Sequence, residues 1–345
     1  MQRTFASDNY SGVCPEVMEA LTQANEGHVS GYGNDPFTEE ARELFAREFG
    51  PDSRVHFVYN GTAANVLSLR AMTRSYHSIV CSEFSHIYIH ETGAAQTHTG
   101  CKVMALPSRD GKLSVELVRP AVERENYWGH HATKPKVLSI TQPTELGVVY
   151  TPDEIRELAD FCHSKDMFLH MDGCRLFNAA ASLNLSLSEA SSKAGVDVLS
   201  FGGTKNGLMF GEAVVFLRPE LATEFDYLHK ESLQLASKMR FIAAQYIPFL
   251  RDEVWKKNAT QANHIAQLLG EGISQHLEVT LSNPVQTNQI FATMPTSMIE
   301  HVNQKFPFYT WNDTTNEIRL VASFDNTEED VQLFLEKVGV GFPFK

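Results

Sequence analysis

Residues 196–207, VDVLSFGGTKNG, constrain this chain more than any other stretch. An apolar run predicts a buried strand, two glycines end it, Thr204 and Lys205 follow, and Asn206 with Gly207 turns the chain again. A lysine between glycine-permitted turns covers no helix face; it stands where backbone can approach a ligand closely. Held among apolar neighbours, such an amine is a nucleophile able to form a Schiff base with an aldehyde. A lone lysine would read as well as a surface-loop residue. A second motif upstream, residues 168–180 (FLHMDGCRLFNAA), tips the balance. It puts Asp172 just past an apolar strand, where open α/β sheets carry their ligand-binding groups. A carboxylate for a pyridinium nitrogen and an amine for an aldehyde are what a pyridoxal phosphate site requires.

The surrounding pattern predicts an α/β chain with a mostly parallel sheet flanked by helices. A strand over 137–141 leads to Thr151-Pro152-Asp153-Glu154, a capping box with proline at the first helical position, and a helix to about residue 165. A strand over 167–171 then carries Asp172 at its end, so the spacing implies a parallel crossover. Another buried strand spans 212–217, and helical stretches fill 219–275. Short strands then alternate with helices (277–281, 289–294 and 317–322; helices near 296–305 and 327–338). We therefore expect a large domain over 1–270 and a small α+β domain over 271–345.

Composition narrows the function classes. With 42 acidic against 29 basic residues the net charge is −13, which argues against nucleic acid or an anionic membrane as partner. No signal-peptide pattern opens the chain, and no apolar run approaches membrane-spanning length. The five cysteines (14, 81, 101, 162, 174) are scattered and contain no C-x-x-C, so a disulfide framework or zinc ribbon is not expected. They read as reduced thiols of a cytoplasmic protein.

Other segments supply candidate contacts. After a strand ending near residue 59, Asn60-Gly61-Thr62 enters a helix, offering free N–H groups and a positive dipole end to an anion; Gly61 permits close approach and Thr62 adds a hydroxyl. No Walker A motif accompanies it. His86 and His90, four apart, could ligate a metal on a helix, but the supporting ligands are missing; a histidine face stacked on an aromatic ligand is preferred, and no metal is expected. Arg319, in the apolar strand EIRLVA, is costly to bury unless paired. A substrate carboxylate is one bidentate partner, and a solvent-facing edge position is the alternative.

Taken together, these residues resemble a threonine aldolase of the low-specificity type, in the β-eliminating lyase superfamily of fold type I pyridoxal phosphate enzymes. The resemblance runs from FASDN (5–9) to about residue 337. It is carried by YGNDP (32–36), YNGTAAN (59–65), SHIYIHETGAA (85–95), MDGCRLFNAA (171–180), GGTKNG (202–207) and RLVASF (319–324). It implies that Lys205 holds pyridoxal 5′-phosphate, that Asp172 pairs with the ring nitrogen, and that His86 stacks on the ring. Gly61, Thr62 and Thr204 would serve the cofactor, with Arg240 of SKMRF reaching a neighbouring subunit's phosphate. Ser7, Arg175 and Arg319 would surround the substrate carboxylate, with Arg175 also near the cofactor. Tyr32 would approach the substrate across a subunit boundary, and His131 of GHHATKPKVLSI would face the substrate hydroxyl.

The implied reaction is retro-aldol cleavage of threonine, allo-threonine or phenylserine-like amino acids to glycine and an aldehyde, in a homodimer or homotetramer. A β-eliminating lyase, a racemase or a non-catalytic cofactor-binding protein are the alternatives. The chain departs from the family pattern at Cys174, Thr204, TQPTEL (141–146) and Met209-Phe210, departures that bear on stereochemistry and aldehyde choice.

Overall fold

The computed structural model describes residues 3–341. Seven strands form the main sheet: β1 (Arg54–Val58), β2 (His77–Ser82), β3 (Lys102–Leu106), β4 (Lys134–Thr141), β5 (Phe168–Gly173), β6 (Val198–Phe201) and β7 (Glu212–Phe216). Their order is β1-β7-β6-β5-β4-β2-β3, and β7 alone runs against the others. Helix-length connections between neighbouring parallel strands account for that arrangement, because such strands cannot be joined by a tight hairpin. The expected parallel pair on either side of the helix Pro152–Ser164 is β4–β5, and the Thr151/Glu154 capping box is formed.

Alternation along the strands divides the packing between two faces. Val55, Phe57, Val80, Leu138, Ile140, Leu169, Met171, Leu199, Phe201 and Val215 enter one core, where Phe45, Phe57, Phe201, Tyr246 and Phe249 meet ring edge to ring face or tilted. Val58, Ile79, Cys81, Val137, Val198, Val214 and Phe216 enter the other, against the helix Gly61–Met72. A polar thread crosses that second face. His170 bonds Ser139 (Nδ1···Oγ 2.9 Å) and Ser200 (Nε2···Oγ 2.9 Å), and Ser200 meets Ser68 at 3.2 Å.

A second, antiparallel sheet comprises β8 (Thr280–Leu281), β9 (Gln289–Thr293), β10 (Tyr309–Asn312) and β11 (Glu317–Val321), in the order β10-β11-β9-β8. The helices Thr296–Asn303 and Glu328–Val338 pack with it. β10, like β3 in the main sheet, is a strand that sequence patterning misses; YTWN is short and mostly exposed. The boundary expected at residue 270 falls inside a continuous helix, Val254–Ile273. Its later residues Ile265, Leu269 and Ile273 belong to the small core. Phe5 joins that core as well, edge-on to Phe334, and the Phe5 carbonyl accepts from the Val321 N–H. The N-terminal segment therefore packs with the small sheet. No helix among the described residues is long and apolar enough to cross a membrane.

Candidate functional site

One edge of the main sheet collects the chemistry. β1 delivers Gly61, β2 delivers His86, β5 ends at Asp172 and β6 leads into Lys205, while antiparallel β7 begins there with Glu212. Lys205 sits in the single 3₁₀ turn Thr204–Asn206, pinned from below: Asn206 Nδ2 donates to the Trp255 carbonyl, and Asn258 Nδ2 donates to the Asn206 carbonyl (2.9 and 2.8 Å). Gly202 is required by close approach, since a Cβ there would lie 2.4 Å from the Cys174 carbonyl oxygen. Gly207 closes the turn with φ +103°, a conformation L side chains rarely adopt. Lys205 Nζ makes no hydrogen bond or ion pair among the described residues and is left available for a ligand.

Asp172 is buried and fully engaged. Its Oδ1 accepts from the Cys174 N–H (3.0 Å) and its Oδ2 from Asn65 Nδ2 (2.8 Å). Burial alone would raise its carboxyl, but the charges of His86 and Lys205 and the Asn65 bond outweigh it and hold Asp172 below the ordinary value. A fixed anion results. Asn65 also donates to Glu91 Oε1 (2.9 Å), and Glu91 Oε1 meets His86 Nδ1 at 2.9 Å. Buried Glu91 thus orients the imidazole from behind. Among the described residues no group of three metal-binding side chains occurs.

At the N-terminus of the helix Gly61–Met72, Asn60 caps the Ala63 N–H through its side chain. Among the described residues the N–H groups of Gly61 and Thr62 find no acceptor, and a Cβ on Gly61 would meet nothing within 4 Å. An anion can therefore reach them. Two guanidinium groups stand on the opposite flank. Arg175 is largely buried and bidentate to Asp8 (Nε···Oδ2 2.7 Å, Nη2···Oδ1 3.0 Å), with Asn288 adding a third bond to Asp8 Oδ2 (3.1 Å). Desolvation opposes ionisation of Asp8, but Arg175 prevails and keeps it low. Arg319 has no acidic partner among the described residues. It lies over Tyr309 and Trp311 (5.4 and 5.0 Å to the ring centroids), and its buried Nε has no acceptor. Burial and the nearby Arg175 charge both depress its pKa. Trp311 continues to His90 (5.9 Å) and His90 to His86 (5.6 Å), linking the small sheet to the main one.

Lys205, Asp172, His86, Gly61, Thr62, Thr204, Arg175 and Arg319 are thus assembled along this edge. Ser7 joins them through Asp8 and caps the short turn Asp8–Tyr10 by accepting the Asn9 N–H (3.2 Å). Within the chain, His131 is not brought to this edge. It lies exposed just before β4, whereas Thr141 at the far end of β4 is the register partner of Asp172. Those residues are separated by the length of a strand, roughly 23 Å at about 3.3 Å per residue. Tyr32 and Arg240 are engaged elsewhere: the Tyr32 N–H donates to Ser237 O and Arg240 Nη1 to Gly27 O. Tyr32 lines a separate concavity with Arg42, His56 and Met239, and neither residue bonds any group at the site.

Sequence reading missed Asp8, Asn65, Glu91, Glu145 and Glu212. Glu145, after β4, accepts the His86 N–H (2.9 Å) and the Thr141 hydroxyl (2.7 Å), and burial pushes it up to about 7. Glu212, beside Thr204 and the Gly203 N–H, is likewise pushed up to about 7 by burial. Each sits next to a residue the motifs already marked, but the contacts cross between strands, and local sequence carries no trace of them.

Comparison with known proteins agrees with the geometry. A family model described as beta-eliminating lyase matches residues 4–297. A low specificity L-threonine aldolase of Pseudomonas aeruginosa is 43% identical over 331 residues, covering 95% of this chain and 94% of its own. One from Saccharomyces cerevisiae is 26% identical over 301 residues, with 85% and 74% covered. The solved structure of a Leishmania major threonine aldolase superposes with a TM-score of 0.91 at 29% identity, covering 97% of this chain and 98% of that one.

Proposed function

Because this chain belongs to the beta-eliminating lyase family, we propose that it is a pyridoxal-phosphate-dependent aldolase, cleaving threonine, allo-threonine and related β-hydroxy-α-amino acids to glycine and an aldehyde. The observation that carries the substrate class is Arg319. A half-buried guanidinium without an acidic partner is costly as it stands and is relieved by a carboxylate. The residues also fit the cofactor. Lys205 offers a free amine, Asp172 a fixed anion for a protonated ring nitrogen, and Gly61 with Thr62 open N–H donors for phosphate. Bound there, pyridoxal phosphate supplies a conjugated electron sink for a bond broken at the amino acid's Cα.

The protein's own part is positioning. Arg319 would anchor the substrate carboxylate and so limit the orientations open to the bonds at Cα. Arg175, held by Asp8, keeps that flank positive, and His86, held by Glu91, presents its imidazole to the ring face. We place the protein in the cytoplasm as a homodimer or homotetramer, with Tyr32 and Arg240 serving a neighbouring subunit's site.

The test offers threonine, allo-threonine, serine and alanine separately to the holoenzyme. Acetaldehyde and glycine in equal amounts from threonine are expected. Pyruvate from serine or racemised alanine, with no acetaldehyde, would instead identify a lyase or a racemase. No turnover with a bound chromophore would mark a binding protein.

A further inference from the structure

We infer that Glu145 is the proton acceptor for the substrate's β-hydroxyl, a catalytic role that His131 is too distant to fill within the chain. The inference rests on the aldolase reading above. Glu145 follows β4 at the same sheet edge as Asp172 and Lys205. Its two hydrogen bonds, from the His86 N–H at 2.9 Å and the Thr141 hydroxyl at 2.7 Å, both fall on Oε1. Among the described residues Oε2 takes no bond from any other residue, and Glu145 is only partly buried. The carboxylate is therefore held at one oxygen and presented at the other, from a strand adjoining the one that carries Asp172, and next to the histidine that faces the cofactor ring. A general base needs that combination of a fixed orientation and one free lone-pair oxygen.

The charged and titratable groups around it are Asp172 on β5, Cys81 on β2, Tyr150 beyond β4 and His86 on the short helix His86–Ile89. Of these His86 alone can carry positive charge. Burial, which outweighs the Thr141 and His86 hydrogen bonds, sets the carboxyl near 7, suited to taking and releasing a proton at neutral pH.

In the step assigned to it, the hydroxyl proton passes to Glu145 Oε2 and the freed O–H pair forms the aldehyde C=O. The Cα–Cβ bond breaks with its pair left at Cα, where a proton drawn from water completes glycine, and Glu145 returns its own proton to water, so protons balance. No oxidant or co-reactant is needed.

Glu145→Gln and Glu145→Asp in the holoenzyme test this. E145Q is expected to lower acetaldehyde release from threonine by roughly 100-fold, the lower end for loss of a general base. It should still give the wild-type spectral change with glycine, which has no β-hydroxyl. The wild-type rate should rise through a midpoint near 7 as Glu145 ionises. E145Q should lose that limb, and E145D should restore part of the rate together with the limb. An E145Q rate within a few-fold of wild type with an unchanged profile overturns the role. Loss of glycine binding or of bound cofactor in E145Q overturns it too, leaving a structural tether. A wild-type enzyme that releases no acetaldehyde fails the aldolase reading itself, a result distinct from either.

Discussion

At the scale of single residues, the site is built from charges whose partners differ in kind. Asp172 and Arg175 are fully paired within the protein, whereas Lys205 and Arg319 are not. The unpaired ones are where ligand groups are expected, because a buried polar group without a partner is retained only when function supplies one. Lys205→Ala should abolish the visible absorbance of lysine-bound cofactor and nearly all turnover; an active, coloured variant would refute the assignment. Arg319→Gln should lower kcat/KM for threonine by 30-fold or more, since truncating one side of a buried charge pair costs about 2–5 kcal/mol. It should leave the cofactor spectrum and thermal stability intact, because the folded protein supplies Arg319 with no acid to lose. A stability loss comparable to the kinetic loss would make Arg319 structural.

At the scale of elements, the lysine turn and β5 show how backbone sets the site. Gly202 lies against the Cys174 backbone where the two parallel strands leave the sheet. Backbone cannot yield as a flexible side-chain end does, so Gly202→Ala should destabilise the protein by about 2 kcal/mol or more, read as a lowered urea midpoint with retained slope. Within β5, His170 is sealed between Ser139 and Ser200 and burial lowers its pKa to about 4. Its neutral form is the folded one. As pH falls below the unfolded value of 6.5 the unfolded chain takes up a proton that the folded chain refuses until near 4. From pH 7.5 to 5 this residue alone removes about 2 kcal/mol of stability. Glu145 and Glu212, raised by burial, act in the opposite sense, so the comparison must be between variants. His170→Gln should remove about 2 kcal/mol of acid sensitivity relative to wild type, measured by denaturant unfolding at the two pH values. Equal pH dependence in both would show that His170 titrates normally.

For the molecule as a whole, the site lies between two sheets. The main sheet supplies the amine and the ring-nitrogen anion, and the small sheet supplies Arg319, through Trp311 and His90, to the same edge. Tyr32 and Arg240 bond none of the site groups among the described residues, which fits use across a subunit boundary. Light scattering should therefore give a mass at least twice the 38.6 kDa of the chain. Arg240→Gln should weaken pyridoxal phosphate binding about 10-fold at unchanged mass; unchanged affinity would remove Arg240 from the site. By itself the sequence determined the strand-and-turn settings of Asp172 and Lys205, the capped helices and the open anion-binding turn at Gly61. Each of these is encoded in glycine, proline, capping residues and apolar period within a dozen neighbours. Tertiary structure alone decided that Asp8 occupies Arg175, that Glu91 stands behind His86 and that Glu145 stands against Thr141 and the His86 backbone. Those are contacts between residues on different strands and loops. The direction of β4 separates one histidine from the site by the length of a strand, a fact no local pattern records.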